Sequence, residues 1–261
     1  LEKMNRSEYI EKLLQKSFVS KKECVILAGG HAKNLWIPEL SCHRMLAKLG
    51  ERALIEVILD HAKKQGVSKA HLIGSHEVNS RVFEKLGNGS RLGVEVNYVE
   101  EKEHKGSAHT LKLAKNAVNN TFLFLACDHY LDFDLRAIEE FHRKNDFVAT
   151  LAVYSGAEYT WDKTSMVRLE GNKIIDYWEK PGSARTHLTA TLTGFAEPEL
   201  FDYLPARGSL ESVFNKLSKE GKLGGFPVSG RFVNVHSKKD AEQSRLFMEL
   251  DPASWSLPDR Y

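Results

Sequence analysis

Cysteine is scarce in this chain. Cys24, Cys42 and Cys127 are the only three in 261 residues. They form neither a C-x-x-C pair nor an even framework, which excludes a disulfide scaffold and a Cys-based zinc site and predicts a reducing compartment. Charge of one sign is lacking too: 37 Lys and Arg against 35 Asp and Glu leave a net +2. Without a basic block, phosphate neutralisation along a nucleic acid is not expected. No apolar run approaches the ~20 residues of a membrane span, and no basic-then-apolar leader opens the chain. These absences predict a soluble, cytoplasmic protein with no nucleic-acid and no membrane partner. Low-complexity tracts and internal repeats are also missing.

What is present suits a globular core: 42% hydrophobic and 28% charged residues. Residues 2–18 carry Tyr9, Ile10, Leu13, Leu14 and Phe18 at helical spacing. We read 1–20 as an amphipathic helical extension, packed on the core or holding a partner such as a second copy. Residues 21–250 form the main body and 251–261 a tail docked by Trp255 and Tyr261. The initial Leu1 suggests a longer parent chain.

Within the body, short β-branched and aromatic runs predict strands over 24–28, 70–74, 93–98, 121–126, 147–154, 165–169, 173–178, 189–195 and 231–235. Helical patterns fill 52–65, 76–86, 106–118, 133–144, 209–220 and 237–249. Leu54, Ile55, Ile58, Leu59 and Ala62 share one face of the first, which Gly66 stops; Ala241, Leu246, Phe247 and Leu250 are assigned inward on the last. Glu170-Gly171-Asn172 reads as a hairpin turn. The alternation predicts βαβ units on a parallel sheet, with more mixed strands after about residue 168.

The chemistry concentrates where strands end. Cys24-Val-Ile-Leu-Ala-Gly-Gly-His-Ala-Lys-Asn-Leu-Trp36 runs from a buried strand into two glycines, a backbone suited to close approach by a phosphate or base. Asp128 leaves the strand Phe122-Leu-Phe-Leu-Ala-Cys127, at the edge where open α/β sheets bind ligands. A carboxylate there needs a partner, a divalent cation being the usual one, unless it merely caps a helix; Asp132 and Asp134 are assigned to capping. Glu101 is either a hydrogen-bond acceptor for a base or one more exposed acid of the Glu-Glu-Lys-Glu run. No Ser-His-Asp arrangement and no H-x-x-x-H spacing stands out. The Gly29-Gly30 loop lacks the G-x-G-x-x-G spacing of a dinucleotide-binding dehydrogenase.

Six segments in order resemble the sugar-1-phosphate nucleotidyltransferases, in particular the mannose-1-phosphate guanylyltransferases. They are Ala28-Gly-Gly-His-Ala-Lys-Asn-Leu-Trp36, Gly106-Ser-Ala-His-Thr110, Ala126-Cys-Asp-His129, Glu179-Lys-Pro181, Thr193-Gly194 and Phe232-Val-Asn-Val235. The resemblance covers about residues 23–249. It implies a GT-A-like, Rossmann-like three-layer α/β/α fold on a mostly parallel mixed sheet. It also implies transfer of a nucleotidyl group from an NTP to a sugar or polyol phosphate, with pyrophosphate released and Mg²⁺ as cofactor. Asp128 and Asn234 would hold the metal. Ala28, Gly29, Gly30, Glu101, Gly106 and Ser107 would contact base and ribose. Lys33 and Arg44 would face the triphosphate, and Lys180 with Glu179 the sugar phosphate. Thr193, Gly194, His43 and His129 fall on the remaining substrate segments, with His31 and His236 as secondary candidates.

Three positions depart from the family pattern. Asn34 stands where the family has the glycine-loop Arg, with Lys33 beside it. His43 stands in place of a Lys, with Arg44 beside it. Asn234 stands in place of the second metal Asp. The charge-bearing residues are thus displaced by one position, except at Asn234, where a carboxylate becomes an uncharged amide. The alternative these departures raise is a domain that binds nucleotide or sugar phosphate in a regulatory or scaffolding role.

Overall fold

The computed structural model describes residues 22–155, 164–183 and 185–250. The expected N-terminal helix and the aromatic tail lie outside them.

Nine strands form one sheet: β1 (Lys22–Ala28), β2 (Val67–Gly74), β3 (Glu95–Glu100), β4 (Phe122–Ala126), β5 (Ala149–Ser155), β6 (Ser165–Glu170), β7 (Lys173–Trp178), β8 (Leu188–Ala196) and β9 (Leu223–Val228). Their order is β5-β9-β7-β6-β8-β4-β1-β2-β3, with β5 paired to β8 as well. β3, β2, β1 and β4 run parallel, as βαβ crossovers require. β8 enters antiparallel to β4 and β5, and β6–β7 is the expected hairpin around Gly171-Asn172.

Alternation along β1 explains the layers. Cys24, Ile26 and Ala28 join one core, Val25 and Leu27 the other, and all five are buried. The first core is covered by α1 (Leu54–Lys64), α2 (His76–Leu86) and α4 (Leu135–Arg143), the second by α3 (Ser107–Lys112), α5 (Leu200–Tyr203) and α6 (Leu210–Lys219). A strand buried on both faces reads as an unbroken apolar run, and β1 and β4 do. All five apolar residues assigned to the inner face of α1 are buried.

Several expectations need correction. β9 was not expected, because Leu223-Gly-Gly-Phe-Pro-Val228 reads as a loop. Its glycines are there for space: a Cβ on Gly224 would lie 2.5 Å from the Phe147 ring, and one on Gly225 would meet Leu169 and Ile174. The segment expected to be helical over 106–118 is α-helical only to Lys112. Beyond it Ala114, Lys115 and Ala117 donate to the carbonyls three residues back. On α7 (Lys238–Glu249) Ala241 is buried, but Leu246 and Leu250 are 48% and 68% exposed. Asp134 caps α4 through the Arg136 amide, whereas Asp132 accepts from the Arg231 amide across a small ribbon. That ribbon, His129–Leu131 against Phe232–Asn234, fixes the site described next.

Candidate active site

The C-terminal ends of β1, β3 and β4 deliver the glycine loop, Glu101 and Asp128 to one edge of the sheet. Ala28, the last residue of β1, is fully buried. Gly29 follows against Thr110 and Glu101, both of which a Cβ would strike, and Gly30 has φ +111°. Only glycine fits this pair of positions.

Glu101 is 3% exposed, not a member of a solvated charge run. Its Oε1 accepts from the Thr110 hydroxyl at 2.5 Å, its Oε2 from the Gly30 amide at 2.9 Å, and His104 Nδ1 lies 3.3 Å from Oε2. A buried carboxylate thus ties the loop after β1 to α3. Thr110 and His104 are neighbours of Glu101 that sequence reasoning did not single out, although Thr110 closes the Gly106-Ser-Ala-His-Thr110 segment. Gly106 stands at the N-cap of α3. Ser107 accepts from the Leu210 amide at 2.8 Å and reaches Glu211 at 3.4 Å, joining α3 to α6.

The loop beyond Gly30 folds back as a hairpin, Trp36–Ile37 against Cys42–His43, turned by Pro38 and a left-handed Ser41. It carries Arg44 to Asp128. Arg44 Nη1 donates to Asp128 Oδ2 at 2.9 Å, and His236 Nε2 lies 3.2 Å from the same oxygen. His129 Nε2 is 3.9 Å from Oδ1. The ribbon places Asn234 opposite His129, and the Val235 amide donates to the Asp128 carbonyl. Burial opposes ionisation of Asp128, but the His236 hydrogen bond and the electrostatic environment of His129, His236 and Arg44 outweigh it and hold the carboxyl below its ordinary value. Burial pushes His129 down to about 4, against the attraction of Asp128, so at neutral pH its ring is uncharged.

Two clefts flank these groups. One of ≈ 160 Å³ is lined by Gly29, Leu35, Ser107, Thr110, Asp128 and Leu192 among others. The other, ≈ 600 Å³, is lined by Gly30, His31, His76, Glu77 and Glu101 among others, and His104 borders both.

Not every expected residue converges here. Of the four histidines, His129 and His236 reach Asp128, while His31 packs edge-on to His104 at 5.6 Å on the larger cleft. His43 is buried, facing the Trp36 ring at 5.2 Å and Glu77 at 3.6 Å. Thr193 and Gly194 lie inside β8. Thr193 is fully buried, and Gly194 abuts the Thr150 carbonyl, so Leu192 is the β8 residue that lines the cleft. Lys33 is exposed, with no ion pair among the described residues. Lys180 is exposed with φ +41°. Partial burial and the nearby Glu211 raise Glu179, against the lowering effect of Lys180.

A family model described as nucleotidyl transferase matches residues 23–211. Among curated proteins, a low-salt glycan biosynthesis nucleotidyltransferase, Agl11, of Haloferax volcanii is 25% identical over 72% of this chain and 54% of its own length. The mannose-1-phosphate guanylyltransferase catalytic subunit beta of Xenopus tropicalis is 23% identical over 84% of this chain and 62% of its own. The chain therefore spans between half and two thirds of these relatives. A solved UDP-glucose pyrophosphorylase complexed with UDP-glucose superposes with TM-score 0.72 over 88% of this chain and 98% of that one, at 15% identity, a likeness of fold.

Proposed function

Because the chain belongs to the nucleotidyl transferase family, we propose that it transfers a nucleotidyl group from an NTP to a sugar phosphate, releasing pyrophosphate and forming an NDP-sugar. The observation that carries this reading is the meeting of the glycine loop, Glu101 and the Arg44–Asp128 pair around the clefts at the ends of β1, β3 and β4.

In the reaction a phosphate oxygen of the sugar phosphate attacks the α-phosphorus in line. The bond from that phosphorus to the β-phosphate bridging oxygen breaks, and pyrophosphate leaves with the electron pair. The protein's part is to position the reactants and neutralise charge. The Gly29–Gly30 backbone, held by Glu101, lies against base and ribose, and Gly106 and Ser107 close the far wall. Arg44 presents its remaining N–H groups to the triphosphate, and Lys33 reaches it from the loop. Lys180 binds the sugar phosphate and Glu179 a sugar hydroxyl.

Members of the family typically use a divalent metal, and Mg²⁺ at Asp128 and Asn234 is the expectation to test against this site. The residues do not fit it. Asp128 Oδ2 is already engaged by Arg44 and His236, and Asn234 adds an oxygen but no charge.

The test is pyrophosphate release from each of four NTPs paired with a panel of sugar-1-phosphates, for the wild type and Lys180→Ala. Release that requires one NTP together with one sugar phosphate, and falls by about a hundredfold in Lys180→Ala, is expected. Absence of release from every pair would contradict the reading.

A further inference from the structure

We propose that the Arg44–Asp128 pair takes the place of a divalent cation in this chain: Asp128 anchors Arg44 as the fixed positive charge facing nucleotide phosphates, and the nucleotide binds without magnesium. This rests on the preceding reading that the cleft takes a nucleotide.

Arg44 is placed by its neighbours in the chain. It opens the turn Arg44–Leu46 directly after the hairpin strand, and His43 before it and Met45 after it are both buried, so the backbone is pinned on both sides. The guanidinium spends one donor on Asp128. Its Nε is buried without a partner among the described residues, and the side chain as a whole is 21% exposed. A guanidinium has five N–H donors in a planar fork suited to phosphate oxygens, so one bond to Asp128 leaves most of the fork for a ligand.

Asp128 is secured from the other side. His236 reaches the same oxygen, and its own amide donates to Asp240 Oδ2 at 3.0 Å, a carboxylate also bound by the Ser237 hydroxyl at 2.8 Å. His129 stands over Oδ1. A cation bonded to Oδ2 at roughly 2.1 Å would lie within about 5 Å of Arg44 Nη1, two positive charges sharing one carboxylate. The second oxygen ligand would be the Asn234 amide, whose Oδ1 is buried and unpartnered among the described residues and brings no charge to offset that repulsion. Asp128 is therefore a positioning residue for Arg44.

Two titrations test this on the full chain. In the first, Mn²⁺ alone is followed by electron paramagnetic resonance. The wild type is expected to show no site that depends on Asp128. Arg44→Met, which keeps the stem and removes the charge, is expected to gain one, lost again in Arg44→Met/Asp128→Asn. A wild-type Mn²⁺ site abolished by Asp128→Asn, or no site gained in Arg44→Met, would overturn the proposal. In the second, calorimetry measures the four NTPs in EDTA and in Mg²⁺. Wild-type Kd is expected to agree within about threefold between the two conditions. Arg44→Met should bind about tenfold or more weakly in EDTA and recover with Mg²⁺. Arg44→Lys, which keeps the charge, should bind equally in both. A wild-type Kd at least about tenfold weaker in EDTA would overturn the proposal. Should no NTP bind in either condition, the nucleotide reading fails and this proposal fails with it; NTP binding that requires Mg²⁺ overturns this proposal alone.

Discussion

At the scale of residues, the site is held by buried polar contacts whose loss is measurable. Thr110→Val keeps the shape and removes a donor to the buried Glu101 carboxylate. Urea unfolding should report a loss of about 1–3 kcal/mol, the usual cost of a buried acceptor left short of a partner. Asp128→Ala leaves Arg44 partly buried and unpaired, and should cost about 3 kcal/mol in the same measurement. A variant as stable as the wild type would show that the contact in question adds nothing. That Gly29, Gly30, Glu101, Arg44 and Asp128 would be neighbours was legible in the sequence, from the order of their motifs. Which residue each would touch was not legible. Arg44 meets Asp128 across 84 positions of sequence, and Glu101 meets Gly30 across 71. Local spacing carries no information about such contacts. His43 illustrates the same point, since a histidine reads alike whether it faces a ligand or, as here, Trp36 and Glu77.

At the scale of elements, periodicity found those buried on one defined face and missed those shaped by space. The amphipathic α1 starts at Leu54 rather than 52, because Arg52–Ala53 pairs with Lys48–Leu49, and the β6–β7 hairpin forms with a register shift between Arg168 and Leu169. The α2 span follows its pattern residue by residue. β9 does not, because two glycines and Pro227 mask it. Its glycines answer to Phe147, Thr150, Leu169 and Ile174, none of them sequence neighbours. Gly224→Ala forces its methyl into the Phe147 ring and the Thr150 hydroxyl and should destabilise by about 1–3 kcal/mol, as overpacking does. Thermal unfolding checks this, and an unchanged midpoint would mean that β9 yields more readily than its packing indicates. Leu246 and Leu250 follow the α7 period yet stay exposed, since an apolar stripe records a face suited to burial and not the partner that buries it.

At the scale of the whole molecule, two apolar cores flank a sheet whose parallel half, β3-β2-β1-β4, presents the site at its C-terminal edge. Burial also sets the pH response. His43, His71, His129 and His142 are all buried, and burial lowers each below the ordinary histidine value against partly offsetting acidic neighbours. Each ring is harder to protonate in the fold than in the unfolded chain, so below about pH 6.5 the unfolded chain binds more protons. Stability is therefore fully present above that pH and falls as pH drops through the window, which for His129 extends down to about 4. Between pH 7.5 and 5, His129 alone should remove about 2 kcal/mol, seen as a lower urea midpoint at pH 5. An equal or higher midpoint at pH 5 would contradict this account of the buried histidines.

The central claim, nucleotidyl transfer at this edge, is tested most directly by following the α-phosphate. The chain is incubated with an NTP labelled at the α-phosphorus and with a sugar-1-phosphate, and the products are separated. The account predicts that the label enters a nucleotide sugar in step with pyrophosphate release, and only when both substrates are present. Label that remains in the NTP for every pair, or that appears as NMP without any nucleotide sugar, would contradict it.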